Sequence, residues 1–166
     1  MNRLFTASAL ALLASLSAAH AQTEIQWWHA MGGELGAKLE EITKGFNDAQ
    51  TEYRVVPSYK GTYPETMTAA IAAFRAQQQP AIVQVFEVGT GTMMAAKGAI
   101  VPVHQLMADN EVAFDPNAYL PAVVGYYTDT DGNMLSLPFN SSTPIVYYNK
   151  TMFEKAGLDP NTPPRT

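Results

Sequence analysis

The sequence predicts an α/β fold in which short apolar strands alternate with amphipathic helices. Runs of four to eight mostly apolar residues have the length of strands, and apolar residues recur between them at helical spacing. Glycine and proline punctuate the boundaries between these segments. With 166 residues and 47% hydrophobic content, the chain is long and apolar enough to form a folded core.

The first part of the chain is predicted to form two successive β-α-β units. Strands are expected at 25–29, 53–58 and 81–86, the last a near-continuous apolar run typical of a buried parallel strand. The helix over 34–46 is expected to present one apolar face, formed by Leu35, Leu39, Ile42 and Phe46. In the second helix, Pro64 is expected as the first helical residue, and the stripe consists of Met67, Ile71 and Phe74. Such units imply parallel strands with crossover helices.

The second part contains shorter predicted elements. We expect a helix over 92–97 closed by Gly98, and another that begins at Asp115-Pro116 and reaches about residue 125. Asp131-Gly132 predicts a hairpin between 126–128 and 134–137. A strand over 145–148 and a helix over 150–156, capped by Gly157, complete the prediction. The chain then stops after three prolines without a closing element, which is typical of a truncated sequence.

The N-terminus has the pattern of a cleaved secretory signal peptide. Asn2 and Arg3 precede an uncharged Leu/Ala-rich stretch, and small residues at Ala19 and Ala21 suit cleavage after Ala21. A membrane anchor is the alternative, but serine and threonine dilute the stretch and no basic cluster follows it. We therefore predict export to the periplasm. A lipid anchor is not expected, because no cysteine follows the cleavage site.

Charge and residue types argue against several functions. The net charge is −5 and no Lys/Arg run occurs, so nucleic acid is not an expected partner. No cysteine is present and no histidine pair has zinc spacing. The series Asp129, Asp131, Asn133 hints at a calcium loop, but Met134 stands where glycine is needed, which favours a polar hairpin turn. Gly89-x-Gly91 lacks the third glycine of a dinucleotide loop, and no nucleophile–base set is visible. We expect no metal, no cofactor and no catalysis.

Polar and aromatic residues instead gather where predicted strands end. In a parallel α/β sheet, ligands bind beyond the carboxyl ends of the strands. Each of these residues could equally be a packing or solvated residue, so only their shared location indicates function. The set comprises Trp27, Trp28, His29, Tyr59, Tyr63, Glu87, Ser141, Ser142 and Thr143.

Several longer segments resemble a known family. These are WWHAMGGELG, YKGTYPETM, AAIAAFRA, QVFEVGTGTMMAAKG, LPFNSSTPIVYYNK and KAGLDPNTPP. They resemble the sn-glycerol-3-phosphate-binding members of extracellular solute-binding protein family 1, which are periplasmic components of ABC importers. EVGTGTMM together with PFNSSTPIVYYNK is specific to those members, whereas the YNK-x-x-F-x-K-x-G ending is shared by many sugar-binding relatives.

The resemblance implies a two-lobed periplasmic-binding-protein fold of type II. Residues 22–138 would form the first lobe, a hinge would lie at 139–143, and 139–166 would begin a truncated second lobe. By motif, the ligand-binding residues would be Tyr63, Glu87 and Ser142, with Trp28, His29, Tyr59 and Ser141 as possible additions. The family's arginine and its other contacts belong to segments outside this sequence. The implied protein is a monomer that captures glycerol 3-phosphate and glycerophosphodiesters and delivers them to membrane permease subunits.

Electrostatics constrains how such a ligand would lie. A glutamate about 6 Å from a phosphate would cost about 3 kcal/mol per charge at an effective dielectric near 20. Glu87 is therefore expected to accept hydrogen bonds from glycerol hydroxyls, while Tyr63 and Ser142 donate to phosphate oxygens. The main counter-charge is expected from the missing lobe. The alternatives are a sugar-binding protein of the same fold, an exported phosphodiester hydrolase, or a fragment without a ligand of its own.

Overall fold

The computed structural model describes residues 22–96 and 98–163, without the side chains of Glu87 and Val88. The predicted signal peptide, Lys97 and the last three residues lie outside the described residues. The chain divides into two compact units, one ending at Ile100 and one beginning at Val101. The predicted boundary between lobes, at residue 138, stays a prediction.

The first unit contains a parallel sheet with the strand order β2-β1-β3. The strands are β1 (Thr23–His29), β2 (Tyr53–Tyr59) and β3 (Ile82–Val83). Thr23 to His29 pair in register with Tyr53 to Tyr59, and Trp27 and Trp28 pair with the two residues of β3. The three predicted strands are therefore present and parallel, which confirms the α/β prediction. Strand β3, however, is much shorter than the predicted 81–86.

Helix α1 (Gly33–Ala49) confirms the predicted helix but not its buried face. Leu39 and Thr43 are the residues that it buries, whereas Leu35, Ile42 and Phe46 are exposed. The reason lies one turn further on, where the Asn47 carboxamide donates to the Val55 carbonyl and accepts from the Val55 N–H, each at 2.8 Å. These bonds satisfy the open edge of β2, so a partly polar row of the helix turns toward the sheet.

Helix α2 (Tyr63–Arg75) begins one residue earlier than predicted, so Tyr63 and not Pro64 is its first residue. Thr62 and Glu65 form a capping box at its start, which also lowers the pKa of Glu65 through the hydrogen bonds from Thr62. The predicted stripe is shifted here too. Thr66 and Ala70 are buried, while Phe74 is exposed.

Helix α3 (Glu87–Ala95) starts five residues before the predicted helix over 92–97. The helix therefore includes EVGTG, where the buried Thr90 hydroxyl donates to the Phe86 carbonyl at 3.0 Å. Glu87 therefore lies at the first position of a helix. Gly98 follows with a positive φ of 78°, as expected of a residue that ends a helical segment.

The second unit consists of short elements. Helix α4 (Val103–Asp109) was not predicted; its first two N–H groups donate to the carbonyls of Leu135 and Met134. The predicted helix from Asp115 is broken into a 3-10 helix (Pro116–Ala118) and α5 (Pro121–Val124). Pro121 explains the break, since a proline disfavours a helical conformation at the preceding Leu120, which is extended with ψ 125°. The Asp115 side chain accepts from the Asn117 N–H as a cap, as predicted.

The predicted hairpin is reduced to one antiparallel bridge between Thr128 and Met134. The Asp129 carboxylate accepts hydrogen bonds from the N–H groups of Asn133 and Asp131, which lowers its pKa. This is the arrangement of a polar turn.

Residues 137–149 contain no helix or strand, so the predicted strand over 145–148 is not formed. Helix α6 (Lys150–Lys155) and its Gly157, with φ 73°, agree with the prediction to within one residue. Within the described ranges, no helix is long and apolar enough to cross a membrane.

Candidate ligand-binding site

The carboxyl ends of the three strands bring most of the predicted site residues to one edge of the sheet. His29 ends β1, Tyr59 ends β2 in register with it, and Glu87 follows β3 at the start of α3. Tyr63 is the first residue of α2. Four of the predicted residues thus border one edge because their strands are parallel and end together.

His29 is a buried residue that fixes the end of β1. Its side chain is 2% exposed, and its Nδ1 accepts a hydrogen bond from the Met31 N–H at 3.3 Å. The neutral ring therefore carries its proton on Nε2. This atom has no hydrogen-bond partner in the part of the chain that the structure describes. Burial lowers the pKa of His29, and the charge of Glu40 opposes that effect.

The His29 backbone carbonyl joins three elements. It accepts a hydrogen bond from the Lys60 N–H at 2.9 Å, which ties the end of β1 to the residue after β2. It also accepts from the hydroxyl of Thr66, a fully buried residue of α2, at 3.5 Å. The start of α2 is therefore held over the end of β1.

Aromatic rings line the same edge. The Tyr59 ring lies 6.0 Å from the His29 ring, centroid to centroid, and more than half of its surface is exposed. The Tyr63 ring stacks on Phe86 at 5.6 Å with an interplanar angle of 23°. Trp28 carries the Lys60 ammonium 4.2 Å above its ring centroid. The rings are positioned by these contacts and form a partly apolar border.

Gln84 is a positioning residue that the sequence interpretation missed. Its side-chain Oε1 accepts from the Ala30 N–H at 3.0 Å, and its backbone N–H donates to the Trp28 carbonyl at 2.8 Å. It therefore links the loop after β1 to the segment that leads into α3. The available signal was a buried polar residue inside the apolar run AIVQVF. Thr66 and Lys60 were also missed, because their contacts join different elements and leave no local pattern in the sequence.

Ser141 and Ser142 belong to the second unit. Both are exposed and lie in the extended stretch without helix or strand. Their participation in a site with Tyr63 and Glu87 stays a prediction.

A shallow depression of about 450 Å³ lies elsewhere, against α1 and the start of β2. Its lining mixes both signs of charge, from Glu40, Lys44, Asp48 and Arg54, and includes none of the predicted site residues. We do not assign a ligand to it, because it lies away from the carboxyl ends of the strands. Among the described residues, no three His, Asp or Glu side chains come together as a metal site would require.

Comparison with known proteins decides the family. Residues 32–166 match the family model of the bacterial extracellular solute-binding proteins. The chain belongs to this family. The match begins three residues after β1 and covers the rest of the first unit and all of the second.

Close relatives within the family carry a more specific name. A protein of Rhizobium meliloti (strain 1021) is 57% identical over 148 residues, and one of Brucella suis biovar 1 (strain 1330) is 54% identical over 168 residues. A protein of Yersinia pestis bv. Antiqua (strain Antiqua) is 54% identical over 159 residues. Each is named an sn-glycerol-3-phosphate-binding periplasmic protein, UgpB. These alignments cover 89%, 99% and 95% of the chain, but only 34%, 39% and 36% of the relatives.

Solved structures confirm the fold. The protein CpMnBP1 with mannotriose bound and the cyclic α-maltosyl-1,6-maltose binding protein of Arthrobacter globiformis both align with a TM-score of 0.64 at 20% identity. Each alignment covers 87% of this chain and 35% of the solved chain. At this identity the likeness establishes the type II solute-binding fold and carries no argument about the ligand.

Proposed function

We propose that the complete protein is the periplasmic solute-binding component of an ABC importer, and that it captures sn-glycerol 3-phosphate and glycerophosphodiesters. The observation that carries the proposal is 54–57% identity to proteins named for this ligand, over 89–99% of the chain. Membrane permease subunits would be its partners, and we propose that it acts as a monomer. Export to the periplasm, with cleavage after Ala21, is part of the same proposal.

We assign the ligand contacts in this part of the chain to Tyr63, Glu87 and Ser142, with Trp28, His29, Tyr59 and Ser141 nearby. The edge position of Tyr63 and Glu87 supports the assignment, because both follow strand ends at which α/β proteins bind ligands. His29 is a special case. It is buried against Tyr59 and Trp27, so we assign it a supporting role and not a direct contact.

The chemical roles follow from charge. A carboxylate repels phosphate, so Glu87 is assigned to the glycerol hydroxyls, which donate to it. The hydroxyls of Tyr63 and Ser142 can donate to phosphate oxygens. We propose binding without catalysis. Incubating the complete protein with a glycerophosphodiester and measuring the released alcohol tests this, since any enzyme-dependent release contradicts the proposal.

The role of Glu87 is tested by Glu87→Gln in the complete protein. We expect the affinity for sn-glycerol 3-phosphate to fall by about 1–3 kcal/mol, measured by calorimetry, because a charge-assisted hydrogen bond is lost. Glu41→Gln is the matched control, because this substitution removes the same charge at an exposed position. Glu41 pairs there with Lys38 on α1. Equal affinities of the two variants would remove Glu87 from the site.

A further inference from the structure

Lys60 is held in a specific position at the edge of the sheet. Its backbone N–H donates to the His29 carbonyl, and its ammonium lies over the ring of Trp28, with Nζ 4.2 Å from the ring centroid. The residue is partly buried. The backbone and the ammonium of Lys60 therefore both contact β1, although Lys60 itself follows β2.

Among the side chains that the structure describes, no carboxylate forms an ion pair with this ammonium. In the described ranges the ion pairs are Lys38–Glu41 and Lys44–Asp48, both exposed on α1. The nearby carboxylate of Glu65 accepts instead from the N–H and hydroxyl of Thr62. An aromatic face attracts a cation but leaves its net charge in place. Among the described residues, Lys60 therefore adds a partly buried positive charge, without a carboxylate ion pair, to this edge of the sheet.

The position of Lys60 adjoins the candidate ligand site. Only Gly61 and Thr62 separate it from Tyr63, and the positive φ of Gly61, 93°, turns the chain directly into α2. Tyr63 stacks on Phe86, the residue that precedes Glu87. Trp28 belongs to β1, the central strand of the sheet. Its carbonyl accepts a hydrogen bond from the N–H of Gln84, the residue after β3. Lys60 thus follows the carboxyl end of β2, at the edge that carries Tyr63 and Glu87.

We propose that Lys60 is a ligand-contacting residue that determines specificity for phosphate esters. The ammonium, held on Trp28, would supply a cation to the phosphate from the first unit itself. This inference rests on the proposed function and changes one expectation from the sequence, namely that the counter-charge comes mainly from the missing lobe. It also gives Trp28 a role, which is to hold the ammonium in place without neutralising it.

The competing explanation is that Lys60 only packs its aliphatic stem on Trp28. Two variants separate the explanations. Lys60→Met keeps an apolar stem over the ring and removes the charge, whereas Lys60→Arg keeps the charge and the contact with the ring. Lys44→Met is the matched control, because it removes one positive charge from an exposed position on α1.

The experiment is a calorimetric titration of the complete protein and these three variants with sn-glycerol 3-phosphate, at low and at high salt. Circular dichroism and a melting curve first establish that each variant is folded. We expect Lys60→Met to weaken binding about 10- to 100-fold and to reduce its salt dependence, because a charge-assisted contact is lost. Lys60→Arg should retain most of the affinity, and Lys44→Met should bind like the unmodified protein.

The outcomes distinguish this inference from the function on which it rests. If Lys60→Met binds like Lys44→Met, while the unmodified protein binds the ligand, the role of Lys60 is wrong and the proposed function stands. If the folded, unmodified protein does not bind sn-glycerol 3-phosphate or a glycerophosphodiester, both are wrong.

Discussion

Among single residues, His29 combines burial with a titratable ring, and this has a consequence for stability. Its pKa is lowered below the ordinary value of 6.5 because burial disfavours the charged form, although Glu40 partly offsets the effect. The unfolded chain therefore binds a proton more readily than the folded one. The stability that depends on the neutral ring is complete above about pH 6.5 and is lost as the pH falls toward the folded-state pKa.

We predict that the free energy of unfolding falls as the pH is lowered below about 6.5, by up to about 1.4 kcal/mol for each pH unit. Urea denaturation of the complete protein at several pH values measures it. His29→Gln, which does not titrate, should be less stable at pH 7.5 but should lack this part of the pH dependence. The prediction fails if the variant and the unmodified protein show the same slope.

Among the elements, α3 approaches its neighbours most closely at Gly89. A Cβ atom at this position would lie 2.7 Å from the Met67 sulfur and 2.9 Å from the Phe86 ring. The Phe86 ring cannot move freely, because it stacks on Tyr63. The glycine is therefore needed for the packing of α3 against α2 and for the position of a proposed ligand contact.

Gly89→Ala should accordingly destabilise the complete protein by about 1–3 kcal/mol, because the added methyl group overpacks this contact. It should also weaken ligand binding, since Phe86 and Tyr63 must shift. Gly91→Ala is the control on the same helix, where a Cβ has open space within 4 Å. That change should be neutral or stabilising by up to about 1 kcal/mol, because alanine favours a helix. Equal melting temperatures of the two variants would contradict the packing argument.

The elements also show how far sequence patterns reach. The strands β1 and β2 and the helices α1, α2 and α6 were predictable, because local periodicity and caps define them. Segment 145–148 has the composition of a strand, but a strand requires a partner, and in the described part of the chain it has none. Ile145, Val146 and Tyr147 are 65–88% exposed as a result.

The candidate site was predictable only in its location. Parallel strands place Tyr59, Tyr63 and Glu87 at one edge, and this follows from the β-α-β pattern. The predicted helix over 92–97 began five residues too late, so the place of Glu87 at the first position of α3 was not foreseen. The contact between Lys60 and Trp28 joins residues from different strands, so no local pattern contains it.

At the scale of the whole molecule, the chain spans little more than a third of the length of the relatives named above. It covers 34–39% of the relatives named above, and its two units are described separately. We interpret the partly aromatic edge of the first unit, with Lys60 and Glu87, as one side of a ligand site, and the proposal assigns the remaining contacts to the rest of the protein. Binding should therefore depend on the complete protein and on the phosphate group.

The most direct test of the proposed function is a calorimetric titration of the complete protein with sn-glycerol 3-phosphate, glycerophosphocholine, glycerol, maltotriose and mannotriose. We predict saturable binding at one site for the two phosphate esters, and at least about 100-fold weaker binding of glycerol, which lacks the charged group. The two trisaccharides, maltotriose and mannotriose, should not bind measurably. Saturable binding of maltotriose or mannotriose, with none of either phosphate ester, would contradict the account.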